Sequence, residues 1–289
     1  MIHKPCASAH RQYPPGLLMF RCLLLAGLGL CTPVQAATST ELFYQQWQPY
    51  NWPGQAPAAK EVTRSQRGIR WQTDTASGAT TVQYDYQPLR IRTGQPAHNG
   101  HLHRVTVGGS WQQGPYRVQG RAGLAGTSNM FKEQDFHRKV ANGRLALFRA
   151  ISDDARLSLG VGGDHRFGSF RWLPRVRWAH ANDQGHWLLD LPVLAQWKSP
   201  DRLWTVSLRR VGDRWATLDR AREVESALYL RDWQAEVRYR VLAGADAWPD
   251  LVLGLGASVD TRVRYRDLDT GTRDLHLGET LLGSITLHW

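Results

Sequence analysis

Beyond residue 36 the chain contains no cysteine, because Cys6, Cys22 and Cys31 all fall within the first 36 residues. A disulfide scaffold is therefore excluded for residues 37–289, and the stretch suits passage through an oxidising compartment. Lysine is scarce as well. Of the 36 basic residues, Lys4, Arg11 and Arg21 lie in 1–36, which leaves 33 against 25 acidic ones, a net of +8, and only Lys60, Lys132, Lys139 and Lys198 of those are lysines. Long apolar runs are missing too. The run Cys22–Cys31, CLLLAGLGLC, has ten residues, and a helix needs about 20 to cross a bilayer. No amphipathic helix pattern occurs, which excludes a helical bundle. The glycine-rich text Gly160-Val161-Gly162-Gly163 has no Lys-Ser/Thr after it and is no phosphate loop. Histidines (His101, His103, His180, His186) and serines (Ser110, Ser158, Ser207) share no motif, and His101-x-His103 lacks the third ligand a zinc site needs. No catalytic residue, metal or cofactor is expected.

What the chain does have begins with a secretion pattern. Arg21 precedes the apolar run, and Val34 and Ala36 satisfy the small-residue rule for cleavage, so 1–36 reads as a signal peptide and Ala37 as the mature start. Met19 is an alternative start of a compact signal. Residues 37–67 carry Pro49, Pro53, Pro57 and five aromatics without a lasting period, and are expected to form an N-terminal arm.

From Gly68 onward the text alternates strand and turn. At the end of the chain Leu251, Leu253, Leu255, Ala257, Val259, Thr261, Val263 and Tyr265 share one parity, while Arg262, Arg264 and Arg266 share the other. A period of two marks a strand with unlike faces. Twelve strands are read between 68 and 289, with ten or eight as alternatives. The strand read over 186–197 places Trp187, Leu189, Leu191, Val193, Ala195 and Trp197 on one face. Its two tryptophans would stand about 33 Å apart along the strand, or about 25 Å in height after tilting, matching two aromatic girdles around an apolar band. Trp172, Trp178, Trp233 and Trp289 join them as expected girdle residues.

The final residues Leu281, Gly283, Ile285, Leu287 and Trp289 form an apolar parity closed by an aromatic. This ending resembles the C-terminal strand of Gram-negative outer-membrane β-barrels. The stretch Arg171 to Val237 is similar to an uncharacterised outer-membrane β-barrel family and brings no activity with it. The resemblance implies an all-β fold: an antiparallel transmembrane β-barrel of about 10–12 strands, an even number, over 68–289, with 37–67 as a periplasmic arm. It implies a place in the outer membrane among lipids and lipopolysaccharide, and a terminal strand ending at Trp289 that the barrel assembly machinery reads.

Given a barrel, the polar parity faces the lumen. That places Arg117, Arg121, Arg171, Arg175, Arg177, Arg238, Arg240, Arg262, Arg264 and Arg266 inside, with Asp85, Asp190, Glu236 and Asp260 as fewer acids. Arginine tracks favour anions, so a small porin-like channel for anionic solutes is the first expectation. A closed structural or envelope-interacting barrel, its interior filled by side chains, is the alternative; a membrane-embedded hydrolase using His101 and His103 is the third. Nucleic acid is not an expected partner of an exported β protein. Arg264 and Arg266 have lipopolysaccharide phosphates as another possible destination. Counting back from Trp289 places the segment 128–139 on the periplasmic side, where loops should be short, so the twelve-strand reading misplaces a strand, with Pro192 or 68–92 as the suspects. The segment 212–225 reads as the main external loop.

Overall fold

The computed structural model describes residues 37–51, 61–91, 100–128, 140–151, 156–219, 224–242, 248–267 and 271–289. The signal peptide expected at 1–36 lies outside them. Fifteen strands run in order: β1 (Ala37–Trp47), β2 (Tyr50–Asn51), β3 (Glu61–Thr75), β4 (Gly78–Ile91), β5 (Gly100–Gln113), β6 (Tyr116–Thr127), β7 (Val140–Ala150), β8 (Leu157–Asp164), β9 (Arg171–Asn182), β10 (Gly185–Leu191), β11 (Leu194–Lys198), β12 (Trp204–Asp219), β13 (Val224–Leu242), β14 (Asp250–Asp267) and β15 (Gly271–His288). From β3 to β15 each strand pairs antiparallel with its neighbours in sequence, and β1 closes the ring between β15 and β3. The stub β2 pairs only with the start of β3. The wall is a closed antiparallel barrel of 14 strands.

Two corrections turn twelve strands into fourteen. The arm expected over 37–67 contributes wall strands at 37–47 and 61–67, its residues 52–60 lying outside the described ones: Glu41–Trp47 pair with Leu282–His288, and Ala37–Gln46 with Ser65–Asp74. The strand read over 186–197 is a hairpin, β10 and β11, turning at Pro192–Val193. Proline cannot donate to a central ladder, and the chain reverses there. Trp187 and Trp197 therefore sit side by side on one rim, rings 6.2 Å apart, and not at opposite girdles. The extra turn also puts the end of β6 and the start of β7, which flank 128–139, on the rim away from Trp289. The long loop expected at 212–225 shrinks to 220–223, because β12 and β13 continue almost to their turn.

The wall has the two faces that its alternation dictates. Leu253, Leu255, Val237, Leu208, Leu281 and Ile285 point outward, Leu255 with 69% of its surface uncovered, while Gln234, Glu236, Ser258 and Ser284 point inward and are buried. Leaving so many large apolar side chains uncovered is unfavourable in water and favourable in hydrocarbon. Above Ser258 the parity of β14 inverts. Asp260 takes a φ of 51°, and the pairing of β14 slips on both sides of Thr261. On β15 Gly278, φ 74°, marks the same inversion. These bulges turn Val263, Leu275 and Leu277 inward and Arg262 and Arg264 outward.

The end away from Trp289 is pinched. The β10–β11 hairpin stops at Val193, while β12 runs on to Asp219 without that partner. Its free length crosses to β6, forming a parallel bridge between Ala216 and Gly126. The Asn142 side chain of β7 completes the seam: its amide donates to the Arg214 carbonyl at 2.9 Å, and the Arg214 N–H donates to its Oδ1 at 3.3 Å. Gly212 lies against the backbone of Arg166, where any Cβ would strike the carbonyl. At this end β6, β5, β4, β3, β1, β15, β14, β13 and β12 thus make a narrower ring. Its interior is an apolar layer that includes Trp47, Leu89, Leu102, Trp215, Leu228 and Leu230, all at most 2% exposed.

Candidate functional site

Below that layer, toward Trp289, the inward side chains become polar. On β13 the order is Leu228, Leu230, Asp232, Gln234, Glu236, Arg238 and Arg240. Asp232 and Glu236 are fully buried, whereas Arg238 and Arg240 expose 27% and 34% of their side chains. On β4 Leu89 gives way to Gln87, Asp85 and Gln83, and on β3 Val62 gives way to Arg64, Gln66 and Arg70. Exposure rises toward the Trp289 rim, so the polar space opens on that side.

The upper part of this polar space is tightly paired. Arg64 donates to Asp232 at 2.7 Å and stacks on Trp47, 3.9 Å from the ring centre. Ser258 donates to the same carboxylate at 2.9 Å and accepts from the Trp47 indole at 2.8 Å. Arg104 bridges Asp85, at 2.7 Å, and Asp213. Arg144 spans Asp213 at 3.4 Å and Asp164 at 3.6 Å, and Arg166 meets Asp164 at 2.5 Å. Glu236 takes Arg238 at 2.7 Å, Arg209 at 3.6 Å and the Ser284 hydroxyl at 2.5 Å. A buried charge is tolerated when its partner is close and its lone pairs are satisfied.

Within this framework lies a cavity of about 380 Å³, lined by Arg64, Arg70, Arg104, Arg121, Arg144, Arg166, Arg209, Arg210 and Arg238, with Glu41 and Asp213 as its lining carboxylates. Arg121 is the least satisfied of them. Its Nη2 donates to Gln83 Oε1 at 2.9 Å, and among the described residues no carboxylate pairs with it. Several forks converge on this one pocket, and the fork of a guanidinium matches carboxylate and phosphate oxygens.

The expected lumen residues divide into groups. Arg121 and Arg238 line the chamber and Glu236 is buried beside it. Arg175 and Arg177 share Asp190, at 2.6 and 3.8 Å, on the wall between β9 and β10. Arg117 lies on the inward face of β6, and Arg240 pairs with Asp250 at 3.5 Å near the Trp289 rim. Arg262 and Arg264 are corrected: the β14 bulge turns them outward, where they pair with Asp260 at 2.7 Å and Asp274 at 2.6 Å. Asp260 sits on that bulge, outside the chamber, and Arg171 is exposed. The side chain of Arg266 lies outside the described residues. Of the expected girdle, Trp172 and Trp178 do occupy opposite ends of β9, Trp187, Trp197 and Trp289 gather at one rim, and Trp233 is partly covered in the wall. Arg64, Arg70, Arg104, Arg144, Arg166, Arg209 and Arg210 escaped sequence reading. Arg64 sat in the segment read as an arm, and the others stood singly or in pairs among residues with no longer arginine track. The alternation Gln83, Asp85, Gln87 was the available signal for a polar lining.

His101 and His103 face outward from β5. Tyr86 Oη meets His101 Nδ1, and Tyr84 Oη lies 2.8 Å from His103 Nδ1. His103 Nε2 lies 2.8 Å from Ser128 Oγ. Among the described residues no group of three metal-ligating side chains forms.

A closed antiparallel wall, apolar outside and polar inside, is the outer-membrane type of β-barrel, and this chain has that fold. No family model and no curated protein sequence matches it. Among solved structures it is similar to a bacterial polysaccharide outer membrane secretin, with 7% identity, TM-score 0.38, and coverage of 87% of this chain and 97% of that one. It is also similar to a BenF-like porin from Pseudomonas fluorescens Pf-5, at 8% identity and TM-score 0.27 over 88% and 98% of the two chains. A third is the outer membrane protease OmpT from Escherichia coli, at 6% identity and TM-score 0.23 over 90% and 96%.

Proposed function

We propose that this outer-membrane barrel holds anionic solutes in the arginine-lined chamber, admitting them from the Trp289 side, and that the apolar layer bars passage to the far side. The observation that carries this reading is the order of inward side chains on β3, β4 and β13, apolar first and polar after, with Arg64 and Arg70 on β3 and Arg238 and Arg240 on β13. Two-residue turns at 76–77, 114–115 and 183–184 lie on the Trp289 rim, which favours that rim as periplasmic. That orientation supports the expectation that the assembly machinery reads the strand ending at Trp289. The apolar layer supports the closed barrel over a porin-like channel. In planar bilayers the wild-type protein is expected to carry no steady current. Inorganic phosphate is expected to raise its unfolding temperature, and Arg121→Gln to remove most of that increase. A steady wild-type current of either selectivity, no stabilisation by phosphate, or stabilisation untouched by Arg121→Gln overturns the reading.

One contact favours a second reading, a hydrolase on the outer wall. With Ser128 donating to His103 Nε2, the Nδ1–H is left to donate to Tyr84, the arrangement of a nucleophile, base and orienting group. Release of fatty acid from a phospholipid substrate that Ser128→Ala abolishes would establish it. Release that survives Ser128→Ala removes it.

A further inference from the structure

We infer that the outer wall carries a binding site for a phosphorylated, multiply acylated glycolipid of the outer leaflet, the lipid A type of amphiphile. The parity inversion on β14 is what creates its polar half. It brings Arg262 and Arg264 out beside Arg231 of β13, the 165–170 loop crosses the notch above the β10–β11 hairpin, and the start of β9 adds Arg171. These four arginines and Tyr229 surround a cavity of about 530 Å³ whose one lining carboxylate among the described residues is Asp274. Asp274 is taken by Arg264, at 2.6 and 2.8 Å, and Arg262 is taken by Asp260 at 2.7 Å. Arg231 has only the Phe167 carbonyl at 3.5 Å, and Arg171 only the Ser169 hydroxyl at 3.3 Å. Among the described residues neither has a carboxylate partner. Two forks thus remain open toward one cavity, the geometry for phosphate oxygens.

The same wall supplies the apolar half. Along the outward face of β13 the order is Tyr229, Arg231, Trp233, Ala235 and Val237. Ala235 and Val237 line a groove of about 600 Å³ with Val206, Leu208, Leu255 and Leu281, almost wholly apolar in character. Arg231 and Ala235 are four residues apart, about 13 Å along a strand, so phosphate forks and acyl groove lie within one amphiphile's length. A free anion would use only the upper cavity, and a neutral lipid only the groove. The charge above and hydrocarbon below select a molecule with both.

The test uses the full barrel folded in detergent, with lipid A in bisphosphorylated and dephosphorylated forms as probes and retention read by native mass spectrometry. The bisphosphorylated form is expected to be held at least about tenfold more tightly, and Arg171→Gln/Arg231→Gln to weaken it roughly tenfold, since each lost fork removes a charge-assisted hydrogen bond. Arg202→Gln, in a turn on the opposite rim, is expected to leave retention unchanged. Equal retention of both lipid forms overturns the site. So does a double variant that folds, shown by heat-modifiable migration, and binds like wild type, or an equal loss in Arg202→Gln. Displacement of the lipid by millimolar inorganic phosphate reassigns the cavity to a free anion and also overturns it. If the double variant does not fold, the comparison of the two lipid forms decides alone.

Discussion

At the scale of single residues, the interior is a set of buried ion pairs in which Asp232 Oδ1 has no hydrogen-bond partner among the described residues. Arg64 and Asp232 are 2% and 0% exposed and share Trp47 and Ser258 as neighbours. Arg64→Ala leaves Asp232 buried and unpaired, and is expected to destabilise the barrel by about 3–5 kcal/mol, whereas Arg64→Met with Asp232→Leu should recover most of the loss. Urea unfolding followed by tryptophan fluorescence measures both; equal losses would mean the pair acts by packing alone. On the outer surface the sign of exposure is reversed. Leu255 is 69% uncovered, and in a water-soluble sheet Leu255→Arg would be nearly neutral. Against hydrocarbon it is expected to cost up to about 2–4 kcal/mol if the residue lies near the midplane. The same unfolding measurement distinguishes the two environments.

At the scale of strands, the period of two was legible and its interruptions were not. The lipid-facing parity of β15, from Leu281 to Trp289, follows directly from its alternation. The break in β14 did not, because Ser258, Asp260 and Arg262 continue the polar parity in the text while the bulge that follows Ser258 exchanges the two faces. Arg264 was therefore assigned to the lumen and stands outside. The β10–β11 hairpin was read as one strand because Leu191, Pro192 and Val193 carry no glycine or asparagine, the usual marks of a tight turn, although the misplaced loop 128–139 had already made Pro192 a suspect, and the turn falls there. β1 was hidden because it mixes Thr, Ser, Glu and Gln with its aromatics, and its pairing partners stand in β3 and at the far end of the chain. In the chamber, Arg121 and Arg238 could be read from their strands, but their convergence with Arg104, Arg144 and Arg209 depends on curvature that no local pattern encodes. The crossing of β12 is testable at this scale. Residues 37–289 hold no cysteine, so Gly126→Cys with Ala216→Cys introduces the sole pair in that region. Bridged residues lie within disulfide range, and mild oxidation is expected to shift migration on a non-reducing gel. Thiols that stay free would show that β12 does not reach β6.

At the scale of the whole molecule, the barrel is two spaces stacked along one axis, a wide polar one and a narrow apolar one. Their order makes a joint prediction. Opening the apolar layer with Leu230→Ser and Trp215→Ala should yield a current where wild type has none, and the reversal potential should favour anions because the arginines below are untouched. A current without anion preference would separate the layer from the chamber. The fold itself is expected to show as different unboiled and boiled migration in detergent.

The narrow end also carries a topological obligation. A loop of strands that alternately rise and descend can close with opposed neighbours only when their number is even; the bridge between Ala216 and Gly126 closes an odd one, so one neighbouring pair must run the same way. That pair joins positions 90 residues apart in sequence, farther than any hairpin in the wall. Contacts of such separation form after local ones. The constriction therefore sets after the hairpins that flank it, and a chain arrested between those steps would present an unsealed tube, while the β1–β15 seam, which joins Glu41 to His288, spans a still longer stretch of chain.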